Sequence, residues 1–221
     1  MGTMTQALQI DFVSDVACPW CAVGLASLER ALEKLGGDVP VEIRFQPFEL
    51  NPQMPAEGED LVEHLGRKYG MTPQQCADGA EMLRKRGETV SVVFGDKRSR
   101  IYNTFDAHRL LHWAGLEGRQ RELKHALLRA YFTDGENPSD HALLVRVAAA
   151  CGLDAERAKA ILAADDYAYE VREREAFYQQ HGINAVPSVI IDDRHLIQGG
   201  QPAEVFERTL QQLAQETAAG A

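Results

Sequence analysis

The chain has 221 residues, 45% of them hydrophobic, which is enough to bury a sizeable core as one large domain or as a domain with an insertion. Its 23 Lys and Arg residues against 33 Asp and Glu residues give a net charge of −10, so we expect no nucleic-acid partner and no anionic-membrane surface. Four cysteines do not make a disulfide-stapled scaffold in a chain of this length, and no apolar run approaches the roughly 18 residues of a membrane span.

The N-terminal sequence MGTMTQALQ lacks the basic region and the apolar run that are typical of a secretory signal. We therefore expect a cytoplasmic protein, in a reducing compartment where two neighbouring cysteines are more often catalytic or redox-sensing than structural. The sequence does not define the oligomeric state, although a homodimer is one expectation for an acidic domain of this kind.

The first predicted elements are a strand, a helix and a second strand. Residues 8–13 alternate apolar and polar side chains, as in a strand with one face toward a core. Apolar residues at three- and four-residue spacing predict a helix from about Cys18 to Leu35, and residues 41–45 alternate again. A helical crossover between two strands predicts parallel pairing with a right-handed connection.

The middle of the chain has a dominantly helical pattern. We predict a short extended piece at residues 89–94 and helices over residues 60–69, 72–86, 103–114, 119–132, 140–151 and 154–163. A helix over 167–181 then precedes an antiparallel hairpin, 187–191 with 196–198, and a last helix that ends near residue 215. This order predicts a helical domain, residues 59–164, inserted into an α/β domain formed by residues 1–58 and 165–221.

Two cysteines lie where the first strand passes into the first helix, in the sequence Cys18-Pro19-Trp20-Cys21. Unpaired N–H groups and the helix dipole favour a thiolate there, and Cys-X-X-Cys thiols at such positions have pKa values of roughly 3.5–7.5. We therefore expect Cys18 to be the nucleophile and Cys21, one turn further into the helix, to be the resolving thiol. Pro19 suits the first turn, and Trp20 would give the reactive sulfur an apolar rim.

A zinc site and a pair of inert buried cysteines are the alternative interpretations of this motif. Structural zinc needs four ligands, whereas Cys76 and Cys151 stand alone in the sequence and are predicted to be buried, unreactive thiols. His108 and His112 lie one helical turn apart, but residue 109 is Arg and not the Glu of a zinc-protease motif, so we predict no metal.

The order of elements, with Cys18 to Cys21 and Ala185-Val186-Pro187-Ser188, resembles the DsbA superfamily of thioredoxin-fold oxidoreductases, and the surrounding sequence resembles its FrnE-like branch. The other matching segments are Ser14 to Ala17, Phe48 to Pro52, Asn103-Thr104, Ala107 to Leu110, Ala130 to Phe132 and Gly182 to Pro187.

The resemblance implies a thioredoxin fold with a large all-helical insertion. It also implies a cis peptide bond before Pro187, with the Val186 backbone facing an extended substrate, and a cleft position for His108 and Arg109. Asn103 is predicted either to cap its helix or to contact the ligand. Glu49 and Asn51 are predicted to be polar loop residues rather than site residues.

The function predicted from these features is thiol–disulfide exchange on a protein or small molecule that carries a disulfide or a thiol. No metal or organic cofactor is predicted, and glutathione is the expected redox partner. Reduction, oxidation and isomerisation stay open.

Two alternative functions stay open. One is a glutathione-dependent isomerase or transferase of the kappa or 2-hydroxychromene-2-carboxylate isomerase kind. Such relatives generally have Ser at the first motif position and Ser-Asp before the last helix, whereas this chain has Cys18 and Gly200-Gln201. The other alternative is a holdase or biosynthetic accessory protein that only binds, which predicts that Cys18→Ser leaves function intact.

Overall fold

The structure is a computed structural model that describes residues 7–219. The expectation about the N-terminal signal concerns mainly residues 1–6, which lie outside the described residues. Residues 1–6 and 220–221 of the predicted α/β domain also lie outside them. Within residues 7–219, no helix is both long and apolar enough to cross a membrane.

The described residues form the predicted helices, the predicted parallel strands and the predicted hairpin, together with two further strands of two residues each. The chain begins with β1 (Leu8–Ser14), α1 (Pro19–Leu35) and β2 (Val41–Pro47). The middle part comprises β3 (Glu59–Asp60), α2 (Leu61–Tyr69), α3 (Pro73–Glu88), β4 (Arg100–Ile101), α4 (Phe105–Leu116), α5 (Gln120–Phe132), α6 (His141–Ala150) and α7 (Ala155–Ala163). It is followed by α8 (Ala168–Gln180), β5 (Ser188–Ile191), β6 (His195–Gln198) and α9 (Ala203–Ala219).

The central sheet has the strand order β2-β1-β5-β6. The β1 strand pairs in parallel with β2, from Leu8 opposite Val41 to Ser14 opposite Pro47, and β5 runs antiparallel to both β1 and β6. This is the sheet of a thioredoxin fold, and it confirms both the predicted parallel unit and the predicted hairpin. Because β1 is a central strand, its C-terminal end, and therefore the Cys-X-X-Cys segment, lies at the middle of the sheet and not beside an edge strand.

The prediction that β1 has one face toward a core was wrong, because β1 is buried on both faces. Ile10 and Phe12 pack into the cluster with α1 and α9, whereas Val13 packs on the opposite face against Tyr178 of α8. A central strand covered by helices on both sides has no solvent-facing side.

Local signals explain where the helices begin and end. Pro19 occupies the first turn of α1, and Gly36 ends that helix with a φ of 60°. At the start of α3, the Thr72 hydroxyl accepts the Gln75 N–H at 3.2 Å, while the Gln75 side chain accepts the Thr72 N–H at 2.8 Å. This reciprocal capping box fixes the predicted start of α3.

The extended piece predicted at residues 89–94 is not a strand. After α3 the chain turns back on itself, with the Val90 and Val92 N–H groups bonded to the Gly87 carbonyl and Ser91 at a φ of 62°. The Gly95 N–H then bonds to the Phe132 carbonyl at the end of α5. The segment therefore docks on a helix end, and the local strand pairing is made by β3 and β4 instead.

Two apolar clusters make up most of the interior. One surrounds the sheet, α1 and α9, and it includes Leu128, Tyr131 and Phe132 of α5. The other joins α4 to α7 and includes Val16 from the segment before the cysteines. Because α5 contributes to both clusters, the helical segment and the sheet share packing; the division at residues 59–164 stays a prediction.

The side chain of Gln120 covers part of the edge strand β2. Its Oε1 accepts the Phe45 N–H at 2.9 Å, and its Nε2 donates to the Phe45 carbonyl at 3.0 Å. An amide side chain thus takes the place of a neighbouring strand, which protects this edge from pairing with another chain.

Candidate active site

Cys18 and Cys21 lie at the start of α1, beyond the end of β1. Cys18 is the N-cap residue, with φ −91° and ψ 113°, and its carbonyl accepts the N–H groups of Cys21 and Ala22 at 3.1 and 3.3 Å. The Cys18 Sγ lies 3.7 Å from the Val186 carbonyl oxygen. Both cysteines are free thiols, 4% and 0% exposed respectively, so Cys21 is the deeper of the two.

Burial raises the pKa of the Cys21 thiol, and the adjacent Cys18 sulfur raises it further through a hydrogen bond and its charge. The positive charge of Lys124 opposes this effect. Cys21 is therefore held as a thiol in the reduced protein. It has to lose its proton before it can attack a disulfide.

The loop before β5 lies directly against the start of α1. The Val186–Pro187 peptide bond is cis, as the resemblance implies. A Cβ atom on Gly24 would lie 3.0 Å from Pro187 Cγ, so the proline ring packs on α1 at a place where only hydrogen fits comfortably. The Gly199 N–H also donates to the Pro187 carbonyl at 2.8 Å. The loop is therefore held between α1 and the segment that precedes α9.

Trp20 is in contact with a second close-packed glycine. A Cβ on Gly200 would lie 3.1 Å from both Trp20 Cε3 and the Trp20 carbonyl oxygen. Pro19, Trp20 and Val186 are each partly exposed, while Pro187 is buried. Pro19, Trp20 and Val186 form a partly exposed border beside Cys18, and the apolar rim expected of Trp20 stays a prediction.

Asp15 is buried below the cysteines and connects three segments. Its carboxylate accepts the Ala17 N–H at 3.2 Å and the Leu50 N–H at 2.8 Å, and His108 Nε2 lies 3.4 Å from Oδ1. Burial alone would raise the Asp15 pKa, but the nearby His108 imidazole and both backbone N–H groups hold it below its usual range. Asp15 thus fixes the segment leading to Cys18 against the loop after β2.

His108 and Arg109 are both buried. His108 is 3% exposed and faces Asp15, so it contacts the site from below. The Arg109 guanidinium donates to the carbonyls of Ile161, Ala164 and Asp166, which anchors the end of α7 to α4. The cleft position that the resemblance implies is wrong for Arg109, because these three carbonyls occupy its donors.

Asn103 caps the start of α4. Its Oδ1 accepts the Phe105 N–H at 2.9 Å, and its Nδ2 donates to the Met54 carbonyl at 3.0 Å. Capping is therefore what its side chain does in this structure. Asn51 is similarly engaged, since its Oδ1 accepts from Lys68 Nζ at 2.7 Å.

Glu49 belongs to a buried acidic pair and not to a solvated loop, so the expectation of an ordinary polar loop residue was incomplete. Glu49 and Glu175 share the Arg172 guanidinium, which also lies 3.8 Å from the centre of the Phe105 ring. Burial and the Glu175 charge raise the pKa of Glu49. This cluster joins α8 to the loop after β2, beside His108.

Lys124 is the residue near the site that the sequence interpretation missed. It is 1% exposed, and Asp15, Cys18 and Cys21 all act on its charge. Burial lowers its pKa, while these three groups raise it. The signal was present, because position 124 lies in the apolar stripe of α5 with Leu127, Leu128 and Tyr131.

The remaining cysteines and histidines lie in other surroundings. Cys76 is buried on α3, as predicted. The prediction that Cys151 is buried was wrong, because it lies partly exposed at the C-terminal end of α6. His112 stacks on Tyr167 with ring centres 5.3 Å apart. Among the described residues, no group of three or more His, Cys, Asp or Glu side chains is placed to hold a metal ion.

The fold and the paired thiols at the start of α1 define a thioredoxin-fold protein of the Cys-X-X-Cys type. Residues 9–211 match the family model of the DsbA-like thioredoxin domain, and the chain belongs to this family. The resemblance to the DsbA superfamily is thus confirmed, and the family supports a thiol–disulfide oxidoreductase role in general.

Three similar proteins illustrate the range of the relationship. The uncharacterised protein YwbO of Bacillus subtilis (strain 168) is 31% identical over 206 residues, which cover 92% of this chain and 96% of YwbO. The crystal structure of a probable DsbA oxidoreductase from Streptomyces coelicolor is 37% identical, with a TM-score of 0.87 over 93% of this chain and 89% of that one. The cytosolic disulfide reductase DsbM from Pseudomonas aeruginosa, solved with GSH, shares the fold at 16% identity and a TM-score of 0.65, covering 94% and 99% of the two chains.

Proposed function

We propose that this protein catalyses thiol–disulfide exchange through Cys18 and Cys21. The observation that carries the proposal is the contact of Cys18 Sγ, at the N-terminus of α1, with the Val186 carbonyl before the cis proline, while Cys21 lies fully buried behind it. Unpaired N–H groups at a helix N-terminus stabilise a thiolate. Cys18 is therefore the nucleophile, and Cys21 is the resolving thiol.

The exchange takes place in two steps. The Cys18 thiolate attacks one sulfur of a substrate disulfide, which forms a mixed disulfide and releases the other sulfur as a thiolate. Cys21 then loses its proton and attacks Cys18 Sγ, which releases the second substrate thiol and leaves a Cys18–Cys21 disulfide. The substrate gains two electrons and the cysteine pair loses two; the reverse sequence oxidises a dithiol. Glutathione, or another thiol, restores the reduced pair.

The substrate binds along the partly exposed border formed by Pro19, Trp20 and Val186, with the buried Pro187 behind it. The Val186 backbone can pair with an extended peptide or with the peptide-like chain of a small disulfide. Asn103 and His108 position the loops around the substrate border. The Asn103 side chain bonds to Met54 and Phe105, and the His108 side chain faces Asp15.

A cytoplasmic location and glutathione as redox partner are part of the same proposal. The structural neighbour DsbM is a cytosolic disulfide reductase whose structure was solved with GSH. A homodimer is proposed as the form of the protein in solution. Thiol- or disulfide-containing proteins and small molecules are the proposed substrates.

Single-cysteine variants test the mechanism. We expect Cys21→Ser, treated with oxidised glutathione, to accumulate one glutathione adduct on Cys18 that is visible in the intact mass. Cys18→Ser should form no comparable adduct at Cys21, because that thiol is buried and its pKa is raised. Cys76→Ser, which removes a buried thiol on α3, is the matched control and should behave like the wild type.

Two other results would favour the two alternative functions, a binding-only protein and a glutathione-dependent enzyme. If Cys18→Ser retains full activity on a disulfide substrate, a binding-only role replaces the proposed one. If the wild-type protein stops at a glutathione adduct that Cys21 never resolves, the glutathione-dependent enzyme class becomes the better interpretation.

A further inference from the structure

A cavity of about 250 Å³ lies at the outer edge of the sheet, between β2, α4, α5 and α8. None of Cys18, Trp20, Val186 and Pro187 lines it, so it is separate from the border proposed for the disulfide substrate. Five basic side chains contribute to its wall against one acidic side chain: Arg44, His108, His112, Lys124 and Arg174 against Glu42. A concentration of basic groups is notable in a chain with a net charge of −10.

Lys124 is the decisive residue in this wall. It is 99% buried, since only 1% of its surface is exposed, yet its ammonium group makes no hydrogen bond or ion pair with any described residue. The centre of the Phe45 ring lies 6.0 Å from Nζ, and Asp15, Cys18 and Cys21 also act on the Lys124 charge. Because Lys124 lines the cavity and its ammonium has no protein acceptor among the described residues, an acceptor that enters the cavity would stabilise it.

The other charged groups of the wall fit an anion that enters from solvent. Arg174, on α8, is exposed and has no ion-pair partner among the described residues, so its guanidinium is available at the mouth. Arg44 keeps its bidentate contact with Asp11 at 2.8 and 3.1 Å. The Glu42 carboxylate is exposed and accepts from Gln9 Nε2 at 2.8 Å, so the acidic group is at the rim.

We propose that this cavity is a binding site for a small anion that carries a carboxylate or phosphate group, with Lys124 Nζ as the inner donor and Arg174 as the outer one. The guanidinium suits bidentate pairing with either group, and the ammonium suits a single close oxygen. The site goes beyond the proposed exchange reaction and does not require the cysteine pair.

Thermal unfolding of the full chain tests the site, with inorganic phosphate and malonate as separate probes at an ionic strength held constant with sodium chloride. An anion that binds only the folded protein raises the Tm, and the rise continues with the logarithm of concentration above the Kd. We expect such a rise with at least one probe, and the probe with the lower Kd identifies the preferred group. Cys18→Ser, which abolishes the proposed exchange, should keep an anion-dependent rise in Tm, and this separates the site from the proposed mechanism.

Two variants and one control make the test specific. Lys124→Met keeps the length of the side chain, removes the ammonium and should abolish the anion-dependent rise in Tm. Arg174→Glu reverses an exposed charge at the mouth, is expected to fold normally and should weaken binding at least about tenfold. Lys159→Met, which removes an exposed lysine that pairs with Glu156 on α7, should retain the full response.

The proposal is overturned if neither phosphate nor malonate shifts the Tm of the wild-type protein relative to chloride. It is also overturned if Arg174→Glu and Lys159→Met respond alike. Should Lys124→Met fail to fold, the comparison of those two exposed-site variants decides the question alone.

Discussion

Replacing Asp15 by Asn should destabilise the protein substantially although the two side chains have nearly the same shape. The carboxylate is 1% exposed and accepts two backbone N–H groups, from Ala17 and Leu50. An amide has one acceptor oxygen, so at least one of these N–H groups faces an NH₂ group and loses its partner. An unsatisfied buried donor costs about 1–3 kcal/mol, and a hydrogen bond to a charged group contributes about 1.5–3 kcal/mol. We therefore expect the free energy of unfolding to fall by about 2–4 kcal/mol.

Urea denaturation at pH 7 measures this loss, with Asp78→Asn, an exposed position on α3, as the matched control. The folded pKa of Asp15 lies below its unfolded value of about 3.9, so its carboxylate stabilises the protein above that pH. This contribution disappears as the pH falls through the folded pKa. The difference between wild type and Asp15→Asn should therefore shrink below about pH 4. A loss under about 0.5 kcal/mol at pH 7, or a difference that does not change with acid, would refute this reasoning.

Further expected outcomes concern the packing at the cis proline and the reactivity of the two thiols. Gly24→Val places carbon atoms where Pro187 Cγ already lies 3.0 Å from a single added Cβ, so urea denaturation should show a loss of about 1–3 kcal/mol. Gly79→Ala, in the middle of α3 where an added Cβ meets only Met71 Cε at 3.9 Å, should instead gain about 0.5–1 kcal/mol. In the reduced protein at pH 7, iodoacetamide should modify Cys18 before Cys21, and the Cys21 rate should rise toward alkaline pH because burial raises its pKa. Peptide mapping by mass spectrometry follows both rates, and equal rates at pH 7 would contradict the assigned roles.

Most of the architecture was predictable because it depends on short-range patterns. The spacing of apolar residues located the helices, Thr72 followed by Pro73 marked the start of α3, and the turn after Ile191 marked the hairpin. The position of Cys18 at a helix N-terminus follows from the same patterns. These features are encoded within a few residues of where they appear.

What could not be predicted depends on contacts between distant segments. The tight contact of Gly24 with Pro187 joins residues that are far apart in the chain, and so does the bond from the Leu50 N–H to Asp15. The two-residue strands β3 and β4 are too short for any periodicity to identify them. Burial of β1 on both faces depends on which helices cover the sheet, and the alternation in its sequence does not record this.

Lys124 was only partly predictable from the sequence. Its position in the apolar stripe of α5 was visible in the sequence, but a lysine there usually extends its ammonium to solvent. Only the packing of α4, α5 and β2 shows that this side chain is buried and lines a cavity instead of reaching the outer surface. The sequence could therefore place Lys124 on the apolar face of α5, but it could not show that the side chain is buried beside a cavity.

A glutathione redox titration of the purified full chain tests the central claim most directly. Free thiols at each of the four cysteines are alkylated and counted by mass spectrometry at every ratio of reduced to oxidised glutathione. We predict a single two-thiol transition confined to Cys18 and Cys21, whose midpoint against a cytosolic poise of about −220 to −320 mV defines the direction of exchange. A pair that never closes, or a transition that involves Cys76 or Cys151 instead, would contradict the account.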